Sequence, residues 1–576
     1  MMRSLTRLFL MVLLGGCELV NAQQVYQVGV ASESLEPGEE SFSVALSGYA
    51  GPWAGRFAFT WLPKGLKSSN PAISRSIPKV GKGSVQTAVV GKVTYKLDSK
   101  GNITAGKSGK SLPALPGITG FVVKNNDMYA AAGSDTLYRL HLPNPERGWM
   151  RAAYHNGQIP RVVPKEIFVS QDKLYAITKT DSLFEAAVIH GKEPEQLFAR
   201  ALALKSEQSQ VLLMCLDLCG FDGSFINEIK KDIAKKHRLP EEAILINASH
   251  THFAPGTQKW LTWAPHNRYP DEAYMNKVVR PAMLKAADRA LASSAPSYVK
   301  VGRGTTAIGR NRSNGELATP YDNAVDVLTA ERTDGSEKTV MVLSGCHPVA
   351  GTAGIKHFTV SSNYPGFMRN ALEEAGKIKT TALFMQGCAG DINPIDEPEI
   401  TGAKLAADAL KVMDSNMKPL SGPVTFHMDS VLAETTPWSK EKLVEFRETN
   451  SKLGAQMEPE RNVAWADLML SHLEQNTMPK SMPVYIQTIN IGEWKLIGLS
   501  REVVTEYGLA IKKLWPEKLV SVAGYCNDVS SYLPVERHIK TRVYEGEGSC
   551  FWYGLPSVFP LDILDRVVNR ISTKNY

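Results

Sequence analysis

The chain has 576 residues, with 65 Lys and Arg against 58 Asp and Glu and a formal net charge of +7. Domains usually contain about 100–200 residues, so this length predicts more than one compact unit. A hydrophobic fraction of 43% excludes a largely disordered chain, and seven cysteines are too few for a disulfide scaffold.

The first segment has the pattern of an export signal. Two arginines precede the apolar run Leu8–Leu14, and a small-residue cleavage site ending at Ala22 follows. The run is too short to span a membrane. An alternative is a lipobox ending at Cys17, which would then be lipidated and become the new N-terminus. The sequence therefore predicts a signal peptide over residues 1–22 and an exported protein, which is periplasmic, extracellular or an outer-membrane lipoprotein.

A β-rich insert is predicted over residues 58–196. Within it, residues 62–110 contain ten basic residues and one acidic residue, an excess larger than the net charge of the whole chain. The remainder of the chain is nearly neutral, so the charge predicts no nucleic-acid partner. It indicates a local basic face, which is either a solvated lysine-rich loop or a surface for an acidic polymer or the headgroups of a membrane surface.

A repeat of 46 residues follows the basic stretch. It relates Tyr129 to Tyr175 and Asp135 to Asp181. Alternating apolar residues around a turn, repeated every ~40–50 residues, are typical of propeller blades. Because two or three blades do not close a propeller, we expect a partial, propeller-blade-like β-insert. The alternative is a coincidence between two β-hairpins.

Strands and helices alternate from residue 197 to residue 576. Buried-strand patterns occur at Val211–Leu218, Ala243–Ala248, Thr339–Leu343 and Thr381–Met385. The remaining predicted elements are helices at Phe225–His237, Asp271–Leu291, Glu502–Leu514 and Leu561–Ile571, helical stretches within Glu441–Leu473, and a hairpin at Val484–Leu499. Together with residues 25–57, this segment predicts an α/β fold with a layered, mixed-sheet core.

Histidines follow two of the predicted strands. His250 and His252 come after one strand as His-Thr-His, and His347 comes after another. Residues two apart on an extended chain point the same way, and neutral imidazole is the commonest metal ligand. In α/β sheets the carboxyl ends of strands form the ligand crevice, so we expect these histidines and the loop Gly390–Pro394 to meet there. Taken alone, His-x-His is also compatible with two surface histidines.

In combination, these motifs resemble the neutral ceramidase family of zinc-dependent amidases, which cleave the N-acyl bond of ceramide. The shared motifs are His-Thr-His before a proline, His-Pro after a strand, the Gly-Asp-x-x-Pro loop, a glutamate between a strand and a helix, and a late tyrosine-rich loop. The resemblance covers residues 25–57 and 197–576. It implies one Zn²⁺ per chain, and the ligands that it implies are His250, His347, Glu502 and Tyr532.

The resemblance also places residues around the metal, and their chemistry suggests roles. His252 is suited to general acid–base work. Asp391 is expected to orient a ligand histidine, and Tyr544 and Arg312 are expected to stabilise an oxyanion. Asn393 stands where the family has a serine; an amide is not a serine-type nucleophile, but zinc-activated water needs none.

Several of these residues also have purely structural interpretations. Glu502 opens a predicted helix, where carboxylates are common because of the helix dipole. Tyr532 is a loop tyrosine, and such residues usually serve packing. The cysteines are interpreted as buried packing residues. The alternative is disulfide pairing of Cys346 with Cys388 and of Cys526 with Cys550.

Two classes of function are compatible with the sequence. The first is an exported zinc hydrolase that cleaves an amide (N-acyl) or related bond in a small molecule, lipid or glycoconjugate, with a carbohydrate, ester or lactone as alternative substrates. The second is a non-catalytic protein that binds a glycan or surface polymer on a hydrolase scaffold. The four filled ligand positions favour the enzyme.

Overall fold

The computed structural model describes residues 23–38, 40–48, 55–70, 73, 86–90, 93–98, 100, 102–106, 110–133, 135–207, 209–313, 320–415 and 417–574. The predicted signal segment, including Cys17, lies outside these residues, as does part of the basic stretch. Within the described ranges, no helix combines the length and the apolar character needed to cross a membrane.

The N-terminal part and the insert are built almost entirely of strands. In chain order these are β1 (Val25–Ser34), β2 (Val44–Ala45), β3 (Phe57–Ala58), β4 (Thr60–Leu66), β5 (Gln86–Val90), β6 (Val93–Leu97), β7 (Ile103–Ala105), β8 (Lys110–Ser111), β9 (Ile118–Lys124), β10 (Asp127–Ala132), β11 (Thr136–His141), β12 (Met150–Ala153), β13 (Glu166–Ser170), β14 (Lys173–Ile177) and β15 (Ser182–Ala187).

The remaining chain alternates between strands and helices. The strands are β16 (Phe198–Lys205), β17 (Gln210–Leu216), β18 (Ile244–Ala248), β19 (Ala295–Thr305), β20 (Gly309–Asn311), β21 (Ala324–Arg332), β22 (Glu337–Ser344), β23 (Lys379–Gln386), β24 (Ile392–Pro394), β25 (Lys418–Pro419), β26 (Val424–Glu434), β27 (Ser481–Ile491), β28 (Trp494–Leu499), β29 (Glu502–Val503), β30 (Leu519–Ala523) and β31 (Tyr532–Leu533). The helices are α1 (Gly223–His237), α2 (Glu272–Tyr274), α3 (Arg280–Ala292), α4 (Tyr364–Ala375), α5 (Pro398–Asp414), α6 (Lys440–Ser451), α7 (Met457–Glu474), α8 (Thr505–Lys512), α9 (Glu536–Thr541), α10 (Ser549–Tyr553) and α11 (Ile563–Thr573).

The largest sheet has the strand order β18-β17-β16-β1-β19-β21-β22-β23, and β25 adds to β19. Its two outer pairs, β17 with β18 and β22 with β23, are parallel, and the pairs between them are antiparallel. The α/β mixed-sheet class predicted from the sequence is therefore confirmed.

Both faces of this sheet are buried, which explains its continuous apolar runs. On β17, Leu212 and Met214 pack with helices α1 and α3 on one face. Their neighbours Val211 and Leu213 pack on the other face against β27 and β28. These belong to a second sheet of order β26-β27-β28-β30, which completes the layered core.

The insert forms three four-stranded antiparallel sheets: β5-β6-β7-β8, β9–β12, and β13-β14-β15 with β4. The two halves of the 46-residue repeat fall on β10 and β14, which are inner strands of two of these sheets. The equivalent tyrosines of the sequence repeat, Tyr129 and Tyr175, thus lie on inner strands of two different four-stranded sheets.

Two sequence expectations need correction. The helix predicted to open at Glu502 begins at Thr505, because residues 502–503 form a short strand paired in parallel with residues 532–533. The six described cysteines are free thiols and buried, so neither alternative disulfide is present. Packing was the other interpretation of these cysteines, and it agrees with their burial.

The two edges of the large sheet meet at Asn247, a fully buried residue of β18. Its side-chain oxygen accepts from the backbone N–H of Gln386 on β23 at 2.9 Å. Its amide nitrogen donates to the carbonyl of Gln386 at 3.2 Å and to that of Gly524 at 2.7 Å. The strand ends that bear the candidate histidines are thereby brought to one place.

We expect Asn247→Ala to lower the free energy of unfolding by about 3 kcal/mol, because the buried backbone groups of Gln386 and the carbonyl of Gly524 lose this partner. The matched control is Asn490→Ala, which removes a solvent-facing hydrogen bond to Thr425 and should cost less than about 0.5 kcal/mol. Denaturant titrations of both variants beside the wild type measure the difference. Equal stability of the two variants would contradict the bridging role.

Candidate metal centre

Three predicted ligands converge on one point. The Oε2 atom of Glu502 lies 3.0 Å from Nε2 of His250 and 3.3 Å from Nε2 of His347. All three side chains are at most 2% exposed. We call this set the His–His–Glu trio; its ligand atoms lie within 4.8 Å of one another, the spacing that a single metal ion requires.

The fold brings the trio together at the ends of strands. His250 follows edge strand β18, and His347 follows β22 near the opposite edge. Glu502 lies on β29, whose parallel partner begins at Tyr532, so these two candidate ligands are direct neighbours across the pair. His250 has a φ of 66°, in the left-handed region, which non-glycine residues adopt rarely and chiefly at functional positions.

Backbone carbonyls orient both histidines of the trio. Nδ1 of His347 is 2.6 Å from the carbonyl oxygen of Ala389, and Nδ1 of His250 is hydrogen-bonded to that of Cys219. A carbonyl only accepts, so each Nδ1 must donate its proton. Each Nε2 is consequently the nitrogen directed at Glu502, which is the tautomer that metal-binding histidines use.

The electrostatics of the trio favour a cation. Burial lowers the pKa of His250, but the Glu502 carboxylate outweighs it and raises that pKa to about 10. Burial also opposes ionisation of Glu502, yet His250 brings the pKa of Glu502 well below its usual range. Without a metal, the buried carboxylate of Glu502 shares a proton with the imidazole of His250. A dication could replace that proton and bind Oε2 of Glu502 and Nε2 of His250.

His252 lies beside the trio. Its Nε2 is 3.1 Å from Nε2 of His250, and its ring packs against Gly48, where a Cβ would come within 2.8 Å of Nδ1. Burial lowers the pKa of His252 well below its usual range, and His250 and His347 add to this effect. The imidazole is therefore neutral, and it lies at the wall of the cavity.

Arg312 organises the polar side of the site. Its guanidinium donates to Glu545 at 2.9 Å, to the side-chain oxygen of Asn393 at 3.0 Å, and to the hydroxyl of Tyr532 at 2.8 Å. Because arginine has only donors, the atom of Asn393 that faces it is the oxygen, and the amide nitrogen points away. The structure therefore brings Arg312, Asn393 and Tyr532 together next to the trio.

Asp391 lies elsewhere than expected. It accepts from the backbone N–H of Thr505 at 2.8 Å, from Asn311 at 2.7 Å and from Arg537 at 3.1 Å. Carbonyl groups, not this carboxylate, orient the histidines of the trio. Asp391 instead holds the loop after β23 against the segment that follows Glu502.

Among the residues that the structure describes, two further groups of side chains have the spacing of metal sites. Asp391 and Glu506 lie close to His538, but Arg537 binds both carboxylates and supplies the positive charge. Cys219 groups with His250 and His252, but there the nearest nitrogen of His250 is Nδ1, 3.8 Å from the sulfur, and the Cys219 carbonyl already occupies it. The His–His–Glu trio is the set whose facing atoms are suited to a cation.

Two members of the trio, His250 and Glu502, line a cavity of about 590 Å³. Aromatic side chains form much of its wall: Trp260, Trp263, Tyr544, Trp552 and Tyr553. Tyr544 keeps 44% of its surface exposed, and its ring lies 5.5 Å from that of Tyr532. Of these residues, sequence reasoning identified Tyr544 alone, since the others lie outside the motifs that carried the resemblance.

The fold of this chain is similar to that of neutral ceramidases of known structure. A neutral ceramidase from Pseudomonas aeruginosa matches with a TM-score of 0.51 at 16% identity, over 67% of this chain and 69% of that one. A structure described as a ceramidase complexed with C2 gives a TM-score of 0.50 at 15% identity, over 66% and 69% of the two chains. No protein-family model and no curated protein sequence matches this chain. The ceramidase-like recognition made from the sequence is thus confirmed at the level of the fold.

Proposed function

We propose that the protein is a zinc-dependent hydrolase that cleaves an amide (N-acyl) or related bond with metal-activated water. The single observation that carries this proposal is the buried His–His–Glu trio, of which His250 and Glu502 line a cavity of about 590 Å³. In keeping with the export signal predicted from the sequence, we propose that it acts outside the cytoplasm.

The donor set suits zinc. Two imidazole nitrogens and one carboxylate are common in catalytic zinc sites, which keep a further position for water or substrate. Tyr532 is the proposed fourth protein ligand, since it is the neighbour of Glu502 across the short strand pair. Bound zinc would supply water with a pKa lowered to ~7 and would polarise a carbonyl group of the substrate.

The residues around the trio have separable roles in this proposal. His252 accepts a proton from the attacking water and returns it to the leaving group, which its neutral state and position allow. Arg312 fixes Tyr532 and Asn393 through its hydrogen bonds. Tyr544 lies at the cavity wall, where its hydroxyl can meet the oxygen on which negative charge develops.

Asn393 favours a second candidate substrate class. Asn393 lines the cavity with its oxygen bonded to Arg312, and its amide has N–H donors but no nucleophilic group. A carbohydrate, ester or lactone has oxygen acceptors for such a donor, and the aromatic wall suits either an acyl chain or a sugar ring. An N-acyl lipid or glycoconjugate remains the primary proposal, because the fold is that of ceramidases.

A substrate screen tests the proposal. We expect zinc-loaded protein to hydrolyse at least one compound from a panel of N-acyl lipids, N-acyl amino sugars, acylated sugars and lactones. Treatment with a chelator should remove the activity, and added zinc should restore it. Protein that binds no zinc at neutral pH would contradict the proposal and favour a non-catalytic, polymer-binding role.

A further inference from the structure

We propose that Tyr553 is a positioning residue for the metal ligand Glu502. It holds one carboxylate oxygen so that the other faces the two imidazoles. This inference rests on the proposed function, since it concerns how the same site binds its metal.

The two oxygens of Glu502 have different partners. Oε1 accepts a hydrogen bond from the hydroxyl of Tyr553. Oε2 faces Nε2 of His250 at 3.0 Å and Nε2 of His347 at 3.3 Å. The two oxygens of an ionised carboxylate are equivalent, so the phenol does not select one of them. It fixes the rotation of the carboxylate plane, with one oxygen on Tyr553 and the other facing the histidines.

The hydrogen bond is of a strong kind. The Tyr553 hydroxyl is a phenol, and the ordinary pKa of this group is about 10. The phenol is therefore protonated and donates to an ionised acceptor that is 2% exposed. Charge-assisted hydrogen bonds of this type are about twice as strong as neutral ones.

The donor is itself held in place. Tyr553 ends the short helix Ser549–Tyr553, and the carbonyl of the preceding Trp552 accepts from Thr262 at 2.6 Å and from the indole of Trp263 at 2.9 Å. These bonds tie the helix end to the cavity wall. The phenol thus reaches Glu502 from an anchored backbone.

Tyr532 does not duplicate this role. Its hydroxyl is 2.8 Å from Nη2 of Arg312, whereas Glu502 Oε1 is bonded to Tyr553. The two phenols therefore have separate partners. Removal of the Tyr553 hydroxyl is expected to disturb Glu502 without disturbing Arg312.

The test is the zinc affinity of Tyr553→Phe, measured by competition with a chromophoric chelator. Loss of a hydrogen bond to a metal ligand typically weakens metal binding about 10–100-fold, and we expect a weakening in that range. The spectrum of the cobalt-substituted variant should also change, because Oε1 is freed. Tyr544→Phe, which removes a phenol from the same cavity without touching Glu502, should keep the wild-type zinc affinity.

The thermal midpoint of the zinc-free protein separates positioning from folding. An unchanged midpoint with weakened zinc binding in Tyr553→Phe supports the inference, because a merely structural role would not lower metal affinity alone. Unchanged zinc affinity overturns it, as does an equal loss in Tyr544→Phe. If the midpoint falls, an unaltered cobalt spectrum overturns it and an altered spectrum supports it. Wild-type protein that binds no zinc would overturn the proposed function as well.

Discussion

Replacing either His250 or His347 with alanine is expected to reduce bound zinc from about one ion per chain to near zero. Each histidine contributes one of the nitrogens that face Glu502, at 3.0 Å and 3.3 Å respectively. Without either nitrogen, the remaining donors no longer enclose a cation. Metal analysis after dialysis measures the loss, and hydrolysis should fall to the level of the chelated wild type.

The matched control for this experiment is His427→Ala. His427 lies exposed on β26, away from the trio, so its removal tests whether any lost imidazole lowers the metal content. We expect this variant to keep its zinc. Full zinc content in both His250→Ala and His347→Ala would refute the assignment of the site.

His252→Gln is expected to keep its zinc and to lose hydrolysis by about 10²–10⁴-fold, the usual contribution of a general acid–base residue. Glutamine preserves most of the size and hydrogen bonding of histidine but has no group that titrates near neutral pH. Because His252 lies beside the trio and is neutral, its removal should affect proton transfer more than metal binding. The checks are kcat and zinc content measured on the same preparation.

The same experiment also tests whether His252 is a metal ligand or a general base. If His252→Gln loses zinc as completely as His250→Ala does, His252 binds the metal directly and its proposed role is wrong. If both zinc and activity persist, another group moves the proton. The comparison requires the two variants to have equal folded fractions, which circular dichroism can establish.

Much of the α/β core could be predicted from the sequence because its patterns are local. The run at Val211–Leu218 identified a strand buried on both faces, and the hairpin at Val484–Leu499 matched β27 and β28. The start of the helix after Glu502 was wrong by three residues. There a two-residue strand pairs with residues 532–533, and such a distant pairing leaves no signal in a local window.

The residues of the candidate site likewise divide into those that local sequence patterns identified and those that they did not. His250, His252 and His347 were accessible because each follows a strand with a clear pattern. Glu502 and Tyr532 came from the family resemblance alone. Neither a strand pattern nor the family resemblance pointed to Tyr553. Its position depends on how α10 is anchored to Thr262 and Trp263.

The left-handed backbone of His250 and of Arg501, with φ of 66° and 79°, was equally hidden from sequence. In a sequence, a glycine or an asparagine is what indicates a left-handed backbone conformation, and neither residue occurs at these two positions. The strain is maintained by surrounding contacts. The local sequence therefore predicted the positions at which strands end better than the backbone conformation of the residues that follow them.

The side-chain bridge that Asn247 makes between the two edges of the large sheet has a consequence for biogenesis. The two histidines of the trio come from opposite borders of that sheet, and Glu502 arrives from a later segment, so no early folding intermediate presents all three. Contacts between segments so distant in sequence form late. A chain that is still folding offers metal ions single histidines or the neighbouring pair His250 and His252, and the complete coordination set exists only once its architecture is finished. The metal content of the protein would then serve as a measure of how much of it is completely folded.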